Sequence, residues 1–379
     1  MVRKVQAPAP ALTLATSLAP HDRAMPRRTA PGSSDTRGQH GALRLPGLAI
    51  DSYNLAIRKP DDSGFIGDRA SQTAFRELLD LARRHKRTAK DPFGRRRSAE
   101  LDKKTIDLVL VGGDPDAAHL VHMAVEAYAL RLAEVVRCFL AQPEWEGVEG
   151  IVLGGGMPES RFGGLAIRRA ARELQETRTG VDIQVLEHDP DEGGLLGWVQ
   201  LLPDDVRAKY DAFLAVDVGG TNLRCGIVEH RLHRDRTGAG ARLLERMQWR
   251  HVEDEPGRGE AVARLAGMLN GLGAQARTLD ISLAPFVGVA CPGRIEADGG
   301  IPQGAQNLPG DWETPFNLPR ELGKRLDRID GRRARILLHN DAVVQGLSAR
   351  NMMRDARRWG VLTIGTGLGN ASYTNLRGR

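Results

Sequence analysis

The pattern of apolar and polar residues predicts a chain in which short strands alternate with helices. Apolar residues recur every three or four positions after Ser71 and again after Pro115, which is typical of helices with one buried face. Strands alternating with helices are typical of the α/β class. Short apolar or alternating runs predict strands at 46–58, 151–153, 183–186, 213–216, 286–290, 336–338 and 361–364.

One predicted hairpin carries a turn of unusual composition. Residues 212–229 read as two strands around a turn that holds Asp217, Gly219, Gly220, Thr221 and Asn222. Glycines let the backbone approach a ligand closely, and successive N–H groups can converge on an anion. A carboxylate at the end of the strand suits a hydrated Mg²⁺ beside that anion. An ordinary hairpin is the alternative, but this combination of groups favours phosphate binding.

Two other strand ends carry candidate chemistry. One strand leads into three glycines at 154–156, and a helix is predicted after them. The N-terminus of such a helix can admit an anionic ligand, whereas a tight turn is the alternative interpretation of the glycines. The strand at 336–338 leads to Asn340 and Asp341. A carboxylate held rigidly at a strand end is a candidate general base, whereas a helix cap is the alternative for the Asn-Asp pair.

Composition restricts the partners that we expect. Apolar residues make up 41% and charged residues 27% of the 379 positions, which is ordinary for a globular protein large enough for two domains. Much of the net charge of +6 lies in arginine-rich stretches at 23–37 and 83–97. These lack interleaved aromatic residues, so we expect a solvated surface rather than a nucleic-acid site. No apolar run approaches the ~20 residues of a membrane span, so no membrane partner is expected.

Cysteine usage and the N-terminal region bear on localisation. Cys138, Cys225 and Cys291 are far apart, which argues against a disulfide framework and a zinc cluster and fits a reducing cytoplasm. Residues 1–45 are rich in proline, alanine and arginine and lack the apolar core of a targeting peptide. We therefore interpret them as a flexible N-terminal arm of a cytoplasmic protein.

The turn after Asp217 resembles the first phosphate motif of the sugar-kinase/actin/Hsp70 superfamily. In detail the chain is similar to the ROK family (repressor, open reading frame, kinase), which includes bacterial glucokinases and fructokinases. The resemblance implies a two-lobe, ribonuclease H-like ATPase fold of the actin/hexokinase type, with a cleft between the lobes. Further matching motifs are the Pro292-Gly293 turn, the loop 307–312, the Asn340-Asp341 pair and the Gly-Thr-Gly turn at 365–369.

The family's motifs occur here in a changed order. The motifs of its second half, at 113–114, 154–156 and 194–197, precede Asp217, and the turn at 365–369 comes last. We interpret this order as a circular permutation that joins the former ends at 203–211. The predicted division is a flexible arm over 1–45, a permuted second lobe over 46–210, a first lobe over 211–340, and completion of the second lobe by 341–379.

The resemblance implies phosphorylation of a sugar hydroxyl, on a hexose or a related compound, with ATP and Mg²⁺. It assigns the role of general base to Asp341 and places Asn340 and Asn307 at the sugar. Asp217 would face Mg²⁺ through water, and we expect Arg224 to pair with a carboxylate. Two turns, one of Gly219, Gly220, Thr221 and Asn222 and one of Gly365, Thr366 and Gly367, would clamp the triphosphate, and Gly155 and Gly156 would lie along the adenosine.

The chain departs from the family on the acceptor side. The family's GHM…CxCGxxGC stretch is missing, so no zinc is expected, and residues 39–41 are a weak match to its histidine motif. Residues 64–71 align with the GCxExxxS segment, but Gly67 stands where that segment has a sugar-contacting glutamate, with Asp68 beside it. A non-catalytic sugar- or nucleotide-binding regulator, and an ATPase without a sugar site, therefore stay as alternatives. The oligomeric state, including a homodimer, stays open.

Overall fold

The computed structural model of the protein describes residues 38–85, 91–313 and 315–376. Most of the predicted arm, including the basic stretch 23–37, lies outside the described residues, as do residues 86–90 of the second basic stretch. All the strands and helices named for this protein lie within those three ranges.

Eleven strands lie in this part of the chain, and each predicted strand overlaps one of them. They are β1 (Arg44–Leu45), β2 (Leu48–Tyr53), β3 (Gly150–Gly154), β4 (Asp182–Val185), β5 (Ala212–Val218), β6 (Leu223–Glu229), β7 (Arg242–Trp249), β8 (Leu283–Cys291), β9 (Arg335–Asn340), β10 (Arg358–Ile364) and β11 (Leu368–Asn375).

Nine α-helices accompany them in the same described ranges, and α1, α3 and α4 are the helices expected after Ser71, at Pro115 and after the glycines at 154–156. Ser71 and Asp114 cap α1 and α3, because their side-chain oxygens accept hydrogen bonds from backbone N–H groups of the first turn. Over the described residues, none of the helices has the length and apolar character that a membrane crossing requires. The helices are α1 (Gln72–His85), α2 (Lys103–Val111), α3 (Pro115–Leu140), α4 (Arg161–Glu176), α5 (Pro190–Leu196), α6 (Asp204–Lys209), α7 (Arg258–Thr278), α8 (Leu318–Gly323) and α9 (Asp341–Ser348).

Some helical details differ from the sequence interpretation. Helix α2 has no counterpart among the predicted elements, because its apolar residues form a continuous run rather than one helical face. The linker at 203–211 contains the short helix α6, whose Val206 is buried. Two apolar residues of α3, Met123 and Leu130, are 44% and 57% exposed, since the buried side of α3 is centred on other residues.

The strands form two sheets of related topology. The five-stranded sheet has the order β7-β6-β5-β8-β9, in which the first three strands are antiparallel and β8 and β9 run parallel to β5. The six-stranded sheet has the order β1-β2-β11-β10-β3-β4, with β11 antiparallel to both neighbours and β3 and β4 parallel to β10. The expected α/β fold with two sheets is confirmed.

Chain order differs between the two sheets although the strand pattern does not. In the five-stranded sheet β5 is central, with β6 and then β7 on one side and β8 and then β9 on the other. The strands on each side therefore follow the order of the chain. In the six-stranded sheet, the two strands β10 and β11 come from the C-terminal region, and β2, β3 and β4 come from the first half. The expected pairing of residues 46–58 with residues 361–374 is confirmed, because β2 pairs with β11.

Buried side chains form three groups. One packs against the six-stranded sheet beneath α1, α3 and α4, and another packs against the five-stranded sheet beneath α7 and α8. The third takes side chains from both sheets together with α5 and α9. This shared layer matters for the site, because α9 begins at Asp341.

Candidate active site

The first hairpin turn lies between β5 and β6 and is closed by its own backbone. The Gly219 N–H donates to the Asn222 carbonyl oxygen at 2.9 Å. The Gly219 carbonyl oxygen lies 2.8 Å from Nε2 of His251, which therefore acts as the donor. These bonds hold the turn in a fixed shape at the end of a buried strand.

Asp217 of β5 is held by an arginine that it shares with a second carboxylate. Arg224 Nη1 lies 3.2 Å from Asp217 Oδ2, and its Nη2 lies 2.5 Å from Asp191 Oδ1 on α5. The expectation that Arg224 pairs with a carboxylate is thus confirmed. Gly194 of α5 packs against Asp217 so closely that a Cβ atom there would lie 2.7 Å from the carboxyl carbon.

The environment of Asp217 fits a role beside a hydrated cation. Burial raises the pKa of Asp217 above its ordinary value, while Arg224 opposes this shift and favours the charged form. Within the described residues, Oδ2 pairs with Arg224 and Oδ1 accepts no hydrogen bond. One carboxylate oxygen therefore stays available for water molecules around Mg²⁺, which prefers oxygen ligands.

The second hairpin turn, between β10 and β11, meets the first. The Gly365 N–H donates to the Gly367 carbonyl oxygen at 2.9 Å, and the Gly365 carbonyl accepts from the Gln72 N–H at 2.9 Å. The hydroxyls of Thr366 and Thr221 lie 3.3 Å apart. The two turns that the sequence assigns to one triphosphate are thus brought into contact.

Asn307 stands beside both turns. A Cβ atom on Gly220 would lie 3.0 Å from the Asn307 Cβ, and one on Gly367 would lie 3.8 Å from its Nδ2. The Asn307 side chain is exposed. This residue, assigned to the sugar from the sequence, therefore lies next to the backbone assigned to phosphate.

The Asn340 side chain forms its hydrogen bonds within the protein, mainly with the helix that follows it. Its Oδ1 accepts from the N–H groups of Ala342 and Val343, and its Nδ2 donates to the Gly293 carbonyl oxygen at 2.9 Å. Only 2% of Asn340 is exposed. The geometry favours the helix-cap alternative for Asn340 over direct sugar binding, because both ends of its amide serve the protein itself.

Asp341 has the electrostatic properties of a general base. Burial, and then the nearby carboxylate of Asp217, raise the pKa of Asp341 to about 7. Its Oδ1 accepts a hydrogen bond only from the neighbouring Ala342 N–H, at 2.9 Å, among the described residues. A carboxyl group poised near neutral pH can take and release a proton efficiently.

The third glycine turn, at residues 154–156, contains one structural glycine and one candidate binding position. Gly155 has a φ of +80°, and a Cβ atom there would lie 2.6 Å from the Ile364 carbonyl oxygen, so the tight-turn alternative accounts for this glycine. Gly156 instead faces the polar ends of Gln72 and Lys103. Of the two glycines assigned to adenosine, Gly156 is the one with a polar surrounding.

The N-terminus of α4 is already occupied by a side chain. The Asp107 carboxylate accepts hydrogen bonds from the N–H groups of Arg161 and Phe162 at 2.9 and 3.0 Å. This contact favours the tight-turn alternative at this helix end, because Asp107 of α2 supplies the negative charge there. The sequence interpretation could not find this contact, since it did not include α2.

On the acceptor side, Asp68 also serves the protein itself. Asp68 Oδ2 accepts from the Phe65 N–H at 2.9 Å and caps the short turn 66–70. His40, from the weak match to the histidine motif, belongs to a cluster of three rings: His339 lies 4.7 Å from His40 and 5.6 Å from Tyr53, ring centre to ring centre. Burial lowers the pKa of His339 to about 3, which keeps it neutral.

Comparison with known proteins gives one sequence match. No protein-family model matches the chain. It is 28% identical over 164 residues to the glucokinase of Thermotoga maritima, a match that covers 43% of this chain and 44% of the glucokinase. The expected similarity to a bacterial glucokinase is confirmed over this segment. The chain spans less than half the length of that relative.

Two solved structures overlap parts of the fold. A ROK hexokinase from Thermus thermophilus shares 22% identity, covers 44% of this chain and 48% of its own, and gives a TM-score of 0.30. An exopolyphosphatase from Cytophaga hutchinsonii shares 15% identity, covers 44% of this chain and 51% of its own, and gives a TM-score of 0.26. These overlaps are too small to bear on function.

Proposed function

We propose that the protein transfers a phosphoryl group from Mg·ATP to a hydroxyl of a hexose or related sugar. The observation that carries this proposal is Asp341, a carboxyl group with a pKa of about 7 whose ionisation is coupled to Asp217 at the first phosphate turn. The partial match to a glucokinase supports the same reaction class. Phosphoryl transfer needs a group of this kind together with positioning and charge neutralisation.

In this proposal each part of the site has a separate task. Ionised Asp341 accepts the proton of the sugar hydroxyl. The hydroxyl oxygen bonds to the γ-phosphorus while the bond between that phosphorus and the bridging oxygen of ADP breaks. Backbone N–H groups of residues 220–222 and 366–367 hold the phosphates, since the N–H groups of Gly219 and Gly365 already donate within their own turns. Asp217 orients the water shell of Mg²⁺, which supplies charge neutralisation when bound.

We further propose that the chain is a circular permutant with the lobes assigned from the sequence. The pairing of β2 with β11 supports this, since it joins the two regions that the permutation would separate along the chain. The lobe boundaries, a homodimer and a cytoplasmic location stay predictions.

A non-catalytic regulator is the second candidate. Asn340, expected at the sugar, and Asp68, beside the position of the family's sugar-contacting glutamate, form hydrogen bonds within the protein, which favours a weakened acceptor site. The two candidates differ in turnover, because a regulator would bind sugar or nucleotide without forming ADP.

The test is a screen of the purified protein against sugars and amino sugars with Mg·ATP, measuring ADP release. We expect at least one sugar to raise ADP release well above the rate without acceptor, and Asp341→Asn to abolish this increase. Binding of a sugar or of ATP without any increase in ADP release would favour the regulator instead.

A further inference from the structure

Helix α2 forms hydrogen bonds with the glycine turn at 154–156 and with the start of α4. Asp107 caps the N-terminus of α4, and Lys103 Nζ donates to the Gly156 carbonyl oxygen at 2.8 Å. Both contacts fall on backbone that the sequence assigns to nucleotide binding. The helix thus covers this side of the candidate site.

A cavity of about 380 Å³ lies between α2 and the start of α4. Its wall includes Leu108 and Val111, which are 59% and 53% exposed although they are apolar, and Arg161 at the start of α4. Cavities of a few hundred Å³ with apolar walls and a few polar groups are typical of small-molecule sites. The apolar part is suited to the flat face of a nucleotide base.

Glu159 lines this cavity, and its negative charge opposes an anionic ligand unless a cation offsets it. Carboxylate oxygens of Glu159, Asp189 and Asp191 lie within 4.8 Å of one another. Lys103 forms an ion pair with Glu159, and each side chain of the pair is about one-third exposed. Surface ion pairs of this kind are weak, so the lysine can exchange partners at little cost.

We propose that α2 forms the outer wall of the nucleotide site and that Lys103 binds a phosphate oxygen of ATP in place of Glu159. Leu108 and Val111 receive the base, and Lys103 offsets the negative charge of the acidic edge as the nucleotide enters. This inference rests on the proposed kinase function, and it assigns a nucleotide-contacting lysine at a position where the sequence showed no phosphate-binding motif.

Calorimetric titration with ADP and with adenosine, both in the presence of Mg²⁺, tests the inference. Lys103→Met is expected to weaken ADP binding about tenfold and to leave adenosine binding unchanged, because only ADP offers a charged partner to the lysine. Leu108→Asp is expected to weaken both ligands alike. The matched control is Lys324→Met, which removes a lysine that also forms a surface ion pair, with Glu321 at 2.7 Å, but does not line the cavity, and it should bind ADP as the wild type does.

Equal ADP affinity of Lys103→Met and wild type would overturn the inference, as would an equal loss in the Lys324→Met control. A folded wild-type protein that binds no nucleotide at all would instead overturn the proposed kinase function. Unchanged melting temperatures of the variants would show that the losses arise at the site.

Discussion

The two hairpin turns that meet at the candidate site have the same strand pattern but different charge. The turn after β5 is flanked by Asp217, and Arg224 links that carboxylate to Asp191. The turn at 365–367 contains two glycines and a threonine and no charged residue. Its contacts with the rest of the protein are made by backbone groups and hydroxyls.

This difference indicates a division of work between two similar backbone elements. Both turns can present N–H groups to phosphate, but only the first can orient a metal ion or change the charge of its surroundings. Substitutions at the first turn should therefore alter metal dependence and pH dependence, while substitutions at the second should change phosphate affinity alone. Asp341 belongs to neither turn and should affect the chemical step.

The largest expected effect is that of Asp341→Asn on turnover. The substitution keeps the shape of the side chain but removes the proton acceptor, so kcat should fall ~10²- to 10⁴-fold. Because neither turn is altered, the Kd for Mg·ATP should stay close to that of wild type. Stopped-flow or steady-state kinetics and nucleotide titration measure the two quantities separately. Full turnover by this variant would favour a helix-cap role for Asp341.

Asp217→Asn should have the next largest effect, and it should act through the metal. Loss of the carboxylate charge should lower kcat/KM for Mg·ATP about 10- to 100-fold and raise the Mg²⁺ concentration needed for half-maximal rate. A rate that keeps the wild-type Mg²⁺ dependence would break the distinction drawn between the two turns.

The same variant should also shift the pH profile. Wild-type kcat/KM should rise with pH through about 7, because Asp341 must be ionised to accept a proton. The Asp217 carboxylate is one cause of the raised pKa of Asp341, so its removal should move this rise to lower pH. A rise that stays in place would show that the two carboxylates are not coupled.

Arg224→Met should have a smaller effect, about tenfold on kcat/KM for Mg·ATP, because Arg224 positions Asp217 without contacting the ligand. The matched control is Arg242→Met on the neighbouring strand β7, where the arginine pairs at 2.6 Å with Glu229, the last residue of β6. Equal losses in the two variants would indicate a general effect on the sheet rather than positioning of Asp217.

Thr366→Ala should have the smallest effect. It removes the hydroxyl that lies 3.3 Å from the Thr221 hydroxyl but leaves the backbone of the second turn in place. We expect a change of about threefold or less in the KM for ATP, at the low end of what one neutral hydrogen bond contributes, and no change in Mg²⁺ dependence. A large loss would mean that the side chain, rather than the backbone, binds phosphate.

The strands and glycine turns could be predicted from the sequence because their signals are local. A short apolar run followed by Gly-Gly-Thr-Asn or Gly-Thr-Gly predicts both the strand and its turn. The turns at 219–222 and 365–367 lie between strands, as the sequence predicts. The same holds for the caps at Ser71 and Asp114, whose partners are a few residues away.

Contacts between distant segments could not be predicted in this way. Asp107 caps a helix 54 residues further along, and Arg224 reaches Asp191 on α5, 33 residues earlier in the chain. Asn340 looked available for a sugar because the sequence does not show that the Gly293 carbonyl accepts its amide. In each case the choice between a binding and a structural role depended on a partner that only the fold brings close.

The central claim is that the protein moves the γ-phosphoryl group of ATP onto a sugar. The most direct measurement is ³¹P NMR of a reaction with Mg·ATP and the best acceptor from the screen, run beside Asp341→Asn. The account predicts a sugar phosphate ester formed in step with ADP by wild type and almost none by the variant. Inorganic phosphate as the sole product beside ADP, or a sugar phosphate formed equally by the variant, would contradict it.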